Sequence, residues 1–74
     1  MNNNPKTERA EYVFAAKEHI DGQAFIALEP SNGDLSILKD GVLFFDLPKG
    51  TDVKRASKIA EQLQDLIPSI AYTK

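Results

Sequence analysis

The sequence predicts an α+β domain: a small single-layer mixed sheet, built as a three-stranded meander plus one strand after a second helix, in the order α-β-β-β-α-β. Three observations point there. Val53, Ala56, Ile59, Ala60, Leu63, Leu66 and Ile67 fall on one face at helical spacing. Two β-rich runs, residues 23–29 and 42–47, stand apart from it, the first closed by the turn-forming cluster Pro30-Ser31-Asn32-Gly33-Asp34. Asp40-Gly41 lies between two strand-like runs and is the dipeptide a type I′ hairpin favours.

Taken in order, residues 1–4 are expected to be a disordered tail and residues 5–74 a single domain. Asn4 before Pro5 suits a helix start. Ala10, Val13, Phe14, Lys17 and Ile20 keep helical spacing among good helix formers, although residues 12–16 are apolar throughout, a pattern also open to a strand. The first helix is therefore expected over 5–20, with Asp21-Gly22 as its stop. Strands follow at 23–29, 35–39 and 42–47. Pro48-Lys49-Gly50 breaks the third strand, and Thr51 or Asp52 caps the second helix, which Pro68 ends. Residues 69–73 form the last strand. A right-handed crossover would set it parallel to the third strand, with an edge position or pairing with the first strand also open.

Composition narrows the function classes. With 74 residues the chain holds one core, and a domain this small buries only about 60% of its unfolded surface. It has no cysteine and one histidine, His19, so neither a Cys–His pair nor a Cys/His zinc site is expected. Ser31, Ser36, Ser57 and Ser69 lack a nucleophile-elbow context, and the carboxylates Glu18, Asp21, Glu29, Asp34, Asp40 and Asp46 are scattered. Neither catalysis, a cofactor nor a metal is expected. His19 reads as a surface residue at a helix end. No apolar run approaches the roughly 18 residues of a membrane span, and the N-terminus lacks the basic and apolar regions of a signal peptide. The expected compartment is the cytoplasm.

Two features point to contact with another molecule. Phe25 and Ile26 are adjacent in one strand, as are Phe44 and Phe45 in another, so both sheet faces carry large apolar groups. Either the two helices cover opposite faces, or a homodimer or protein partner covers one of them. Phe25, Phe44 and Phe45 are the candidate interface. The second helix is also charged against its dipole. Lys49, Lys54, Arg55 and Lys58 gather at its start against Asp52 alone, while Glu61 and Asp65 follow with no base. With Thr51, these four bases form a candidate anion or nucleic-acid contact, though no aromatic interleaves them for base stacking.

Overall fold

The computed structural model describes residues 6–73. Where the sequence predicts a first helix, Thr7–Glu18 is a strand, β1. Ala10, Tyr12 and Phe14 are buried while Arg9, Glu11 and Val13 are exposed, which is the two-residue period of a pleated strand. The Ala, Glu and Lys content that favours a helix is outweighed here by cross-strand pairing. The expected tail at 1–4 and the Asn4-Pro5 start lie outside the described residues.

A tight hairpin joins β1 to β2 (Ala24–Asn32). His19 and Gln23 close it by a 2.9 Å backbone bond, the Asp21 side chain accepts the Gln23 N–H, and Gly22 takes a φ of +88°. The pairing is antiparallel, with a bulge opposite Glu11 and Tyr12 that leaves Ser31 out of register. Pro30 sits inside β2 without loss. The Leu28 N–H bonds the Leu43 carbonyl, so even positions of β2 point away from β1, and β3 (Phe44–Asp46) ends short of Pro30.

The segment after β2 departs furthest from expectation. Residues 35–39 are not a strand; Ser36–Leu38 is a short 3-10 helix. Side chains of β1 explain this, because they take the backbone donors a strand would need. The Tyr12 hydroxyl accepts the Leu35 N–H at 3.1 Å and donates to Asp34 at 2.8 Å, and the Glu8 carboxylate accepts from the Ser36 N–H and hydroxyl at 2.8 and 2.7 Å. Leu35 is thereby drawn into the core. Asp40-Gly41 is not a type I′ turn: neither residue has the positive φ that turn requires. The expected strand at 42–47 is shortened to β3.

The amphipathic helix is where the sequence places it: α1 spans Val53–Leu66. Asp52 caps it by accepting the Arg55 N–H at 2.9 Å, and Ala56 and Ala60 are its buried face. It is the only α-helix among the described residues, so there is no first helix to cover the second sheet face. β4 (Ile70–Thr73) pairs antiparallel with Thr7 to Ala10 of β1. It is not parallel to the third strand.

The sheet is thus wholly antiparallel, not mixed, with strand order β3-β2-β1-β4. Its four strands curl as a half-barrel with one helix, in place of the α-β-β-β-α-β order. The core gathers on one side: Ala10, Tyr12, Phe14, Ile26, Leu28, Leu35 and Ala60, with Leu38, Ile59, Leu63, Ile70 and Tyr72 packed against them. Among the described residues no helix is long and apolar enough to cross a membrane.

Candidate functional site

Strand register sorts the sheet residues by face. Residues directly opposite in an antiparallel pair point the same way. Ile26 opposes Ala16 and Phe45, so all three face α1. Ala27 opposes Ala15 and Phe44, and Phe25 opposes Lys17 and Asp46, so these face outward with Val13 and Glu29. The three candidate interface phenylalanines therefore divide. Phe25 and Phe44 meet edge to face on the outer side, with ring centroids 5.1 Å apart. Phe45 stacks on Phe14 at 6.3 Å along the edge of the core side.

The outer face has an apolar centre and a charged rim. His19 stacks on Phe25 at 4.4 Å, and Phe25 leads on to Phe44, so three rings form a strip across the end of the sheet. Val13 (42% exposed) and Phe44 (44%) remain partly open to solvent. Arg9, Glu11, Lys17, Glu29 and Asp46 surround this centre, and Lys17 pairs with Glu29 at 2.9 Å. An apolar middle ringed by charges of both signs is the anatomy of a protein interface. Asp46, a charge within an apolar run, is at home on an edge strand.

The chain matches no family model, no curated protein and no solved structure.

At the start of α1, the basic residues are only partly brought together. Lys54, Arg55 and Lys58 line an open hollow of about 430 Å³ with Gly50 and Asp52. Lys49 lies instead in a neighbouring hollow of about 600 Å³, with Asp21, Asp46 and Thr51. Thr51 is buried, and its hydroxyl donates to the Pro48 carbonyl at 2.6 Å. Asp52 holds a carboxylate at the helix N-terminus, where an anion would sit. The Gln23 amide is likewise committed: it accepts the Gly50 N–H at 2.8 Å and donates to the carbonyls of Leu47 and Pro48. The polar groups of this region hold the turn between β3 and α1. Among the described residues, no three His, Cys, Asp or Glu side chains converge as a metal site.

Sequence reasoning missed Glu11, Val13, Ala15 and Lys17, the outward residues of β1, and the ring strip that includes His19. Their signal was the alternation of Arg9 to Phe14, which the helical reading set aside. Gln64 was also missed. β4 covers only the first four residues of β1, and beyond it the Gln64 side chain acts as a substitute strand. It accepts the Phe14 N–H at 2.8 Å and donates to the Tyr12 carbonyl at 3.1 Å. Nothing in the spacing of the helix marks out that glutamine.

Proposed function

We propose that this chain is a small non-catalytic interaction module that docks on protein through the outer face of its sheet. The observation that carries the reading is the asymmetry of cover: α1 and the 3-10 segment pack on one face, while on the other Val13 and Phe44 stay exposed and Phe25 is half-buried beside them. Large apolar groups clustered on an open face favour burial against a partner, at roughly 25 cal/mol for each Å² removed from water. The mixed rim charges favour protein over a polyanion, because Glu11, Glu29 and Asp46 outnumber Arg9 and Lys17 there.

Photo-crosslinking tests this reading. A photoreactive phenylalanine analogue at position 44 should yield protein adducts in cells, and the same group at Gln62, on the exposed side of α1, should not. Equal adducts from both positions, or none from position 44, would count against the outer face. The alternative reading, anion or nucleic-acid contact at Lys54, Arg55 and Lys58, is supported by their shared hollow and opposed by the Asp52 carboxylate within it. It requires salt-dependent binding of DNA or RNA that weakens in Lys54→Ala/Arg55→Ala.

A further inference from the structure

On the outer side of β1 the residues at every second position are Glu11, Val13, Ala15 and Lys17: an acid, two small apolar groups and a base. Reversed end for end, that order is its own electrostatic complement. We propose that the outer face binds a second copy of this chain, about a two-fold axis that crosses β1 between Val13 and Ala15, with Lys17 of each copy opposite Glu11 of the other. The inference rests on the protein-docking reading above and adds the partner and its register.

A two-fold axis lying in the interface and perpendicular to the strand sets β1 antiparallel over β1 of the second copy. Val13 then covers Ala15 of the other chain, and the reverse, so each contact is made twice. Stacked sheets lie about 10 Å apart, and the small Ala15 side chain at the centre lets the backbones approach. Glu11 and Lys17 stand six residues apart, which is about 20 Å of extended chain. The two ion pairs therefore flank the apolar centre and stay near solvent, where their desolvation cost is small. Lys17 already pairs with Glu29, both side chains about half exposed, at 47% and 49%. An ammonium has three donors, so Glu11 of the second copy adds to that pair without displacing it. Any other partner would need a matching charge order, whereas a second copy carries it.

Analytical ultracentrifugation of the full chain across a concentration series tests the proposal, using the wild type, Glu11→Lys, Lys17→Glu and the double swap Glu11→Lys/Lys17→Glu. The wild type should approach twice 8.2 kDa. Each single reversal should weaken self-association at least about tenfold, because like charges then meet at both ends of the interface. The double swap should recover most of that loss. Lys17→Glu also loses the Glu29 pair within its own chain, and the double swap shares that loss, so its recovery must come from the second copy. Val13→Lys reports on the face independently of the charges. A wild type that stays at 8.2 kDa into the millimolar range overturns the second copy, leaving the docking face to another protein. Dimers dispersed by Val13→Lys but indifferent to the charge variants overturn the register and keep the face. Dimers indifferent to all of them overturn both.

Discussion

The two sides of this sheet are built from the same strands and do opposite things. Even positions of β1, Ala10, Tyr12 and Phe14, are closed off by α1 and the 3-10 segment, and Ile26 on the same face is fully buried. Odd positions, Glu11, Val13 and Lys17, stay in solvent beside an open strip of rings. Because a strand changes face at each residue, one run can hold a core and present a surface at once. Substitutions on the inner side should therefore cost stability, and those on the outer side should cost association.

The largest expected effect is on the inner side. Ile26→Ala removes most of a side chain that is 0% exposed, and should lower unfolding free energy by about 2 to 5 kcal/mol in urea titrations. Tyr12→Phe comes next. It leaves the buried Leu35 N–H without its acceptor, at a cost of about 1 to 3 kcal/mol.

Tyr12 also gives a signature in pH. Burial raises its phenol above the ordinary value of 10.0; the Leu35 N–H works against that rise, and the Asp34 carboxylate adds to it. The folded chain thus keeps a proton that the unfolded chain releases near pH 10, so stability should fall as pH rises above 10. Unfolding of Tyr12→Phe should lack that component of the alkaline decline; an unchanged decline would show that Tyr12 is not its source.

Gln64→Ala is expected to cost roughly 1 to 2 kcal/mol, from two hydrogen bonds of about 1 kcal/mol each. Amide exchange at Phe14 should quicken with it, since that N–H loses its acceptor. Smallest in stability is the outer-face change Phe44→Glu, expected to cost the monomer about 0.5 to 1.5 kcal/mol through loss of its edge-to-face contact with Phe25. A loss as large as that of Ile26→Ala would erase the distinction between the faces.

How much of this was legible in the sequence varies with the kind of force involved. The helix at Val53–Leu66 was, because its burial pattern and its Asp52 cap are local. β2 was in part: its apolar run is a strand, but the strand continues to Asn32 through Pro30-Ser31-Asn32, where the sequence predicts a turn. β1 was not: its residues suit a helix by propensity, and only pairing with β2 and β4 settles it as a strand. The strand expected at 35–39 failed for a similar reason, since Tyr12 and Glu8, more than twenty residues upstream, take the donors of Leu35 and Ser36. The apolar second face was legible from Phe25-Ile26 and Phe44-Phe45, but the assignment of each ring to a side was not. That needed the register, which turns Phe45 to the α1 side, and the ring contacts, which join His19 to Phe25 and Phe44.

The claim that the inner side folds the chain while the outer side joins it to a second copy has one direct measurement, the urea midpoint as a function of protein concentration. Association of the folded form alone stabilises it by mass action. The wild-type midpoint should rise with concentration, and that of Phe44→Glu should not move with it. A wild-type midpoint that does not move with concentration would contradict it.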